Sequence, residues 1–385
     1  MRTKTLILSA FDNYSYNVRI KYVEKYFEDK NFDVTILSAD FDHRNKTEYC
    51  VKRRNLEYVH VRPYKKNLSI SRMISHQEYA KKAFAYAEKM KPDVIYVSTP
   101  PNFLFKYANN YKNKHQDVKI IFEIGDMWPE TLPVNGKAKK ILSPCLNMWK
   151  ALRDNYIQCA DGVIFECELF KNHLKNIIGN IPSSTIYLTK DLDGKETKVT
   201  APNLDAGLSF CYVGSLNNIF DENLTSELLN TIALKYPVTF HLIGAGEKKE
   251  AFLGKLKNIN VIDHGIVYDE KEKAKIYAQC HIALNLMKTS VFVGLTMKSI
   301  DYFAAGLPII NNIPEDTYRL VEDNECGFNY LEDMNEVMKW IGTLDDCKII
   351  KMKNNAYNVY KNNFVIDILY RKMDDLMQSV LELYQ

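Results

Sequence analysis

Long apolar runs are missing from this 385-residue sequence, and none approaches the roughly 20 residues that a membrane-spanning helix needs. The apolar stretch near the N-terminus is too short for a signal peptide. The eight cysteines are scattered, with no CxxC pair and no His/Cys spacing typical of a zinc site. We therefore expect a cytoplasmic protein with reduced thiols, neither exported nor embedded in a membrane.

A large excess of charge is also missing, because the net charge is only +3. Its distribution is uneven: residues 1–185 carry 30 Lys and Arg against 20 Asp and Glu, whereas residues 186–385 carry 21 against 28. The basic half favours anionic partners. Nucleic acid is one such partner, but no RNA- or DNA-binding motif accompanies the charge, so we expect none. With 46% hydrophobic and 26% charged residues, the composition is that of a globular protein with room for two domains.

Apolar runs that end in small or polar residues recur between helical stretches, six in the first half and five in the second. Such runs are typical of parallel strands covered on both faces. The sequence therefore predicts an α/β protein with two Rossmann-like domains. Their predicted bounds are 1–189 for an N-terminal acceptor-binding domain, 190–206 for a polar linker, 207–362 for a C-terminal donor-binding domain, and 363–385 for a C-terminal helix that could cross back to the N-terminal domain.

The segment 294–311, which reads GLTMKSIDYFAAGLPIIN, is the most informative motif. Thr296 can cap a helix there and Gly306 can end it. Lys298 and Asp301 are three residues apart and share one face of that helix. A short helix with a polar face near its start is suited to binding an anion.

The pattern K-x-x-D-Y-x-A-A-G-x-P in this segment resembles the donor-sugar signature of GT-B fold glycosyltransferases of family 4, in the branch that builds bacterial capsule and O-antigen polysaccharides. The resemblance implies two domains facing each other across a cleft. It also implies that Asp301 contacts the ribose of a nucleotide-sugar and that the helix start lies near the diphosphate. Val293 stands where the family has a second acid near the transferred sugar. The alternative is a plain helix that closes a Rossmann-like unit.

Further candidates follow from the rule that open α/β sheets bind ligands beyond the carboxyl ends of their strands. For the donor nucleotide the rule gives Gly214, Ser215, Gly244, Gly246 and Met287, and the resemblance adds Asn218. Gly244 and Gly246 do not form a GxGxxG fingerprint, since Lys249 occupies the third position, and a tight turn is the alternative. Ser215 and Asn218 lie where family members carry an Arg and a Lys that clamp the phosphates. Lys298 is therefore the candidate substitute, with a surface lysine as the alternative.

The segment EIGDMWPETLP is the second strong motif, in which a buried strand ends at Gly125 and a rigid loop begins. A similar D-x-W-P motif occurs in glycosyltransferases that transfer acetamido-sugars. We assign Asp126 as the catalytic candidate, which would orient the sugar or help to deprotonate the acceptor, and Glu130 as its reserve. The alternative is a structural loop in which Asp126 caps backbone amides and Trp128 packs.

Two regions of the first half suit an acceptor. The loop after the first strand has no glycine but offers polar side chains for sugar hydroxyls or an anion, namely those of Asp12, Asn13, Tyr14, Ser15, Tyr16 and Arg19. The segment 137–153 mixes Lys and Arg with apolar residues, as in a helix that contacts an anionic membrane surface. We expect Pro144 to interrupt that helix. Packing on the core is the alternative interpretation.

Together these features predict a metal-independent glycosyltransferase without a cofactor, in which a nucleotide-sugar, UDP-linked by expectation, is the donor. The acceptor would be a glycan or lipid-linked, and the resemblance implies retention of anomeric configuration. Asp191 and Asp193 form a DxD pair in the predicted linker, and we expect no metal there. The alternatives are a nucleotide-sugar epimerase and a catalytically silent relative that binds nucleotide-sugars or polysaccharide-assembly partners.

Overall fold

A computed structural model describes residues 2–13, 18–132, 136–192 and 199–382. The chain divides into two compact units, the first formed by Met1–Thr189 with Ile366–Gln385 and the second by Lys190–Val365. The domain bounds derived from the sequence, with their linker at 190–206, stay a prediction. Among the described residues, no helix is both long enough and apolar enough to cross a membrane.

The first unit contains a seven-stranded parallel sheet in the order β5-β2-β1-β6-β7-β8-β9. Its strands are β1 Lys4–Ser9, β2 Asp33–Ala39, β5 Leu56–Val59, β6 Val94–Thr99, β7 Lys119–Ile124, β8 Gly162–Phe165 and β9 Ser183–Thr185, beside a small antiparallel pair of β3 Phe41–Asp42 and β4 Thr47–Glu48. Its helices are α1 Val18–Asp29, α2 Ile70–Met90, α3 Phe103–Lys112, α4 Gly136–Asp154, α5 Glu168–Ile178 and α13 Ile366–Glu382. Side chains of α1 and α13 pack with those of the strands in one hydrophobic core.

The second unit contains a six-stranded parallel sheet in the order β12-β11-β10-β13-β14-β15. Its strands are β10 Leu208–Val213, β11 Val238–Ile243, β12 Ile259–Gly265, β13 Ile282–Asn285, β14 Ile309–Asn311 and β15 Gly327–Asn329. Its helices are α6 Glu222–Ala233, α7 Lys249–Leu253, α8 Glu270–Tyr277, α9 Met297–Ala304, α10 Asp316–Asp323, α11 Met334–Ile341 and α12 Asp346–Asn363. The predicted α/β class with two parallel Rossmann-like sheets is therefore confirmed.

Helix α4 corrects one expectation from the sequence, because it continues through Pro144 from Gly136 to Asp154. Proline has no N–H to donate to the carbonyl four residues earlier, that of Lys140. The hydroxyl of Ser143 donates to this carbonyl instead, at 2.9 Å. The acceptor that proline would leave unpaired thus has a partner, and the helix is not interrupted.

Candidate active-site residues

The start of helix α9 is fixed by its own cap. The Thr296 side chain accepts a hydrogen bond from the Ser299 backbone N–H at 3.2 Å, and the helix ends just before Gly306, whose φ is +64°. The predicted cap and stop are both confirmed. Lys298 and Asp301 therefore lie about one helical turn apart, near the helix start.

Lys298 is partly buried against an aromatic ring. Its Nζ lies 4.7 Å from the centroid of the Tyr212 ring, and Tyr212 belongs to β10. Burial lowers the pKa of the Lys298 ammonium to about 7. Among the described residues, no carboxylate forms an ion pair with it. An anion bound here would supply the missing negative charge and raise the pKa of Lys298, so that the side chain is protonated.

Asp301 forms an ion pair with Lys190, which also contacts Glu270 at 2.8 Å. Burial opposes the charge on Lys190, but Asp301 and then Glu270 outweigh that effect and raise its pKa. The sequence did not indicate Lys190, since it lies at the first residue of the predicted linker. The carboxylate predicted to contact a ribose is thus held in place by a lysine that is distant in sequence.

Gly244 and Gly246 allow two loops to approach closely. A Cβ on Gly244 would lie 2.0 Å from the carbonyl oxygen of Gly214, and a Cβ on Gly246 would lie 2.2 Å from that of Leu216. Both glycines have positive φ, +151° and +159°. Contact between the backbones thus accounts for both glycines without a ligand, in agreement with the tight-turn alternative. Their assignment to the donor site stays a prediction.

The other donor candidates in the second unit differ in exposure. Ser215 and Asn218 are exposed, whereas Met287 is buried. The Met287 backbone N–H donates to Asn312 Oδ1 at 2.8 Å, and its carbonyl accepts from Asn312 Nδ2 at 2.7 Å. This pair of bonds fixes the backbone after β13, and the exposed side chains of Ser215 and Asn218 have hydrogen-bonding capacity to offer a ligand.

A buried asparagine ladder, formed by Asn285, Asn311 and Asn329, joins the last residues of β13, β14 and β15. Asn285 Nδ2 donates to Asn311 Oδ1 at 2.9 Å, and Asn311 Nδ2 donates to Asn329 Oδ1 at 3.0 Å. Asn285 Nδ2 also donates to the hydroxyl of Ser299 in α9, at 3.1 Å. The ladder therefore fixes the start of α9 to three strand ends. The sequence offered no sign of this ladder, since the third strand, β15, was not predicted.

In the first unit, Asp126 follows β7 and accepts two side-chain hydrogen bonds. Trp128 Nε1 donates to Asp126 Oδ2 at 2.7 Å, and the Thr131 hydroxyl donates to Oδ1. Burial raises the pKa of Asp126, although these two hydrogen bonds oppose the change. The carboxyl group is therefore held in one orientation by its own loop.

The Trp128 ring that orients Asp126 is itself packed against two side chains of α2. The Arg72 guanidinium lies 4.2 Å from the ring centroid, and the His76 ring stacks on Trp128 with centroids 5.7 Å apart. The Trp128 carbonyl accepts from Asn102 Nδ2 at 2.9 Å. Trp128 thus packs as expected for a structural loop, and the same packing holds the indole N–H that orients Asp126.

Glu130, the reserve candidate, pairs with Arg153 of α4. Arg153 Nη1 and Nη2 donate to its two oxygens, each at 2.8 Å, and Arg153 is only 1% exposed. This bidentate contact gives Glu130 a structural role between loop and helix. Its catalytic assignment stays a prediction.

The loop after β1 is only partly described, since Tyr14, Ser15 and Tyr16 lie outside the described residues. Asp12 is buried, with Oδ2 3.1 Å from Arg53 Nη2, and burial raises its pKa to about 6 despite the charge of Arg53. The remaining predicted residues of this loop also have protein partners: Asn13 Nδ2 donates to Asp42 at 2.9 Å, and Arg19 pairs with Glu123.

Helix α4 has an exposed apolar side, formed by Ile141 and Met148, seven residues apart, as well as buried apolar side chains. Ile141 is 78% exposed and Met148 41%, whereas Leu146, Trp149 and Leu152 are buried. The side chains of Lys137 and Lys139 lie outside the described residues. Part of this apolar surface thus packs on the core, and contact of the exposed part with a membrane stays a prediction.

Among the described residues, no group of three or more His, Cys, Asp or Glu side chains is placed to hold a metal ion. Asp193 of the DxD pair lies outside the described residues, and Asp191 is exposed.

Residues 208–344, which make up most of the second unit, match the family described as Glycosyl transferases group 1. The whole chain is similar in fold to three solved structures among others. Sucrose-phosphate synthase from Thermosynechococcus elongatus has a TM-score of 0.71 at 12% identity, with 99% of this chain and 100% of that chain covered. The lipopolysaccharide outer core galactosyltransferase WaaB has a TM-score of 0.67 at 13% identity, with 98% and 99% covered. Anabaena HepE in complex with UDP has a TM-score of 0.65 at 15% identity, with 98% and 100% covered.

No curated protein matches the chain. The structural likeness shows the GT-B fold over the whole chain, and the similarity to the group 1 glycosyltransferases extends over residues 208–344.

Proposed function

We propose that this protein is a retaining glycosyltransferase that moves an acetamido-hexose or hexose from a UDP-sugar to a lipid-linked or oligosaccharide acceptor. The reaction takes place in the cytoplasm and contributes to the synthesis of a surface polysaccharide. Lys298 and Asp301 in α9 carry the proposal, because Lys298 offers an ammonium that no carboxylate of the described residues pairs with, and Asp301 offers a fixed carboxylate.

The two side chains suit the two polar parts of a nucleoside diphosphate. An ammonium and the N-terminus of a helix both favour a diphosphate. A fixed carboxylate accepts hydrogen bonds from a ribose diol. Anabaena HepE, whose structures include complexes with UDP and UDP-glucose, supports UDP as the nucleotide. No metal ion is required in this scheme, since Lys298 neutralises part of the diphosphate charge.

Asp126 is the acidic group that we assign to the acceptor side. Trp128 and Thr131 hold its carboxyl group in one orientation, which suits contact with a sugar hydroxyl at a fixed position. The leaving diphosphate can take the proton of that hydroxyl as the new glycosidic bond forms, and Asp126 then orients the hydroxyl. At position 293 this chain has valine where the family has an acid, so one polar contact with the transferred sugar is absent from the proposed site.

The exposed apolar side of α4 supports a peripheral membrane contact. Ile141 and Met148 would enter the interfacial region of a bilayer while nearby lysines meet anionic headgroups. Such a contact would bring a lipid-linked acceptor to the first unit.

The test is a transfer assay with a panel of UDP-sugars and a lipid-diphosphate acceptor, comparing wild type with Asp126→Asn. We expect kcat to fall by about 100-fold in the variant, since loss of the orientation of a reacting group costs about that much. The exposed Asp117→Asn is the control and should be unchanged. Binding of UDP-sugars without turnover in wild type would instead favour the catalytically silent relative.

A further inference from the structure

Glu166 is an acid that the assignments above leave unused. It directly follows β8, the strand beside β7 in the sheet, and its backbone N–H donates to the Ile124 carbonyl at 3.1 Å. A Cβ built on Gly125 would lie 3.6 Å from Glu166 Oε2. The Glu166 carboxyl group therefore lies against the backbone just before Asp126.

Other partly or fully buried acids of the first unit have cationic or hydrogen-bonding partners. Glu123 pairs with Arg19, Glu130 with Arg153, and Asp161 with Lys112, while Asp126 accepts from Trp128 and Thr131. Glu166 makes no side-chain hydrogen bond or ion pair to any described residue. For a partly buried carboxyl group without such a partner, the ionised form is the more costly of the two.

The charged groups around Glu166 make a second negative charge there still less favourable. They are Asp126 after β7, Glu123 on β7 and Arg19 on α1, and the last two neutralise each other as an ion pair. Burial first, and then the charges of Asp126 and Glu123, raise the pKa of Glu166 to about 8, against the opposing effect of Arg19. Two nearby carboxylates repel each other, so one of the two groups tends to keep its proton.

We propose that Glu166 is a positioning residue for Asp126, and that the two form a carboxyl pair in which Glu166 holds the single proton. The pair then carries one negative charge, located on Asp126. This inference rests on the role proposed above for Asp126. It adds a residue that limits the reaction at high pH, because ionisation of Glu166 would place a second charge beside Asp126.

Glu166→Gln tests the proposal, since glutamine keeps the shape and neutrality of the protonated acid. Wild-type transfer should fall above about pH 8, by up to tenfold per pH unit for a single ionisation. In the variant, transfer at pH 7 should be near the wild-type rate and the alkaline fall should be absent. The exposed Glu57→Gln is the control and should keep the wild-type profile. An alkaline fall that persists in Glu166→Gln would overturn the proposal.

Stability gives a second readout that does not depend on turnover. Because the folded protein holds a proton that the unfolded chain releases near pH 4.5, wild type should lose thermal stability relative to Glu166→Gln as pH rises from about 4.5 to about 8. In an Asp126→Asn background the loss should level off at a lower pH, since one neighbouring charge is gone. A stability difference independent of pH, a levelling-off unmoved by Asp126→Asn, or failure of Glu166→Gln to fold would each contradict the proposal.

The two readouts separate this proposal from the function itself. Absence of transfer from every donor, with the pH-dependent stability difference present, would refute the transferase but leave the protonated state of Glu166 supported. Transfer that falls at high pH in Glu166→Gln as it does in wild type would refute the role of Glu166 and leave the transferase.

Discussion

Replacing Lys298 by methionine should make the protein more stable and a worse binder of nucleotide. Burial lowers the pKa of this lysine from 10.5 to about 7, which corresponds to a cost of at most about 5 kcal/mol for the charged form. The side chain is only partly buried, so solvent screens part of that cost, and we expect a gain of about 1–2 kcal/mol in the free energy of unfolding at pH 6. Methionine fills a similar volume and retains contact with the Tyr212 ring.

The gain should depend on pH in a defined direction. Below pH 7 the lysine is charged in both the folded and the unfolded protein, so the cost of burying the charge is complete. Between pH 7 and about 10.5 the folded protein binds fewer protons than the unfolded chain, and wild-type stability rises with pH. The advantage of Lys298→Met should therefore be greatest at pH 6 and nearly absent at pH 10.5.

Urea unfolding at several pH values measures the stability change, and calorimetric titration with UDP measures the binding. Loss of one charge-assisted contact should weaken UDP binding by about 10- to 100-fold. Lys275→Met, on the exposed surface of α8, is the matched control and should change neither quantity. Lower stability of Lys298→Met at pH 6, or UDP affinity equal to wild type, would refute this reasoning and leave Lys298 as an ordinary surface lysine.

Two further predictions concern packing. Gly246→Ala should lower the free energy of unfolding by about 2–4 kcal/mol, because φ is positive there and the new Cβ would clash with the Leu216 carbonyl. The control is Gly254→Ala, where the nearest atom is 3.4 Å from the new Cβ, and it should change the free energy of unfolding by less than about 1 kcal/mol. Equal urea midpoints for the two variants would contradict this. Arg153→Leu should cost about 3–5 kcal/mol, because the Glu130 carboxylate would lose its bidentate arginine partner. Adding Glu130→Gln should recover part of that loss in thermal unfolding, and a double variant no more stable than Arg153→Leu would contradict this.

Strands and caps were predictable from the sequence because local residues determine them. The eleven apolar runs became β1, β2, β6–β9 and β10–β14 of the parallel sheets. Two strands of the parallel sheets were missed, Leu56–Val59 and Gly327–Asn329, as was the short antiparallel pair β3 and β4. The first two are short edge strands in which most residues are only partly buried, so their sequences lack a long apolar run. Helix α4 was mispredicted at Pro144 because the compensating Ser143 hydroxyl bond is a detail of local geometry, not of helix propensity.

The candidate residues were predictable one at a time, but their partners were not. Lys298 and Asp301 stand out through spacing on a single helix. Lys190, which pairs with Asp301 across 111 positions in sequence, has no local pattern that points to it. Glu166 likewise becomes a candidate only in the structure, where it follows β8 and lies beside the loop of Asp126 at the end of β7. Such pairings depend on strand order, which the sequence of one chain does not specify.

Calorimetric titration of UDP into the purified protein, with EDTA present, tests the central claim most directly. The account predicts that wild type binds UDP without metal, and that Asp301→Asn weakens binding at least tenfold. The exposed Asp323→Asn should bind as wild type does, and thermal unfolding checks that each variant is folded. No heat of binding with UDP, or equal affinity in Asp301→Asn and wild type, would contradict the assignment of the donor site to α9.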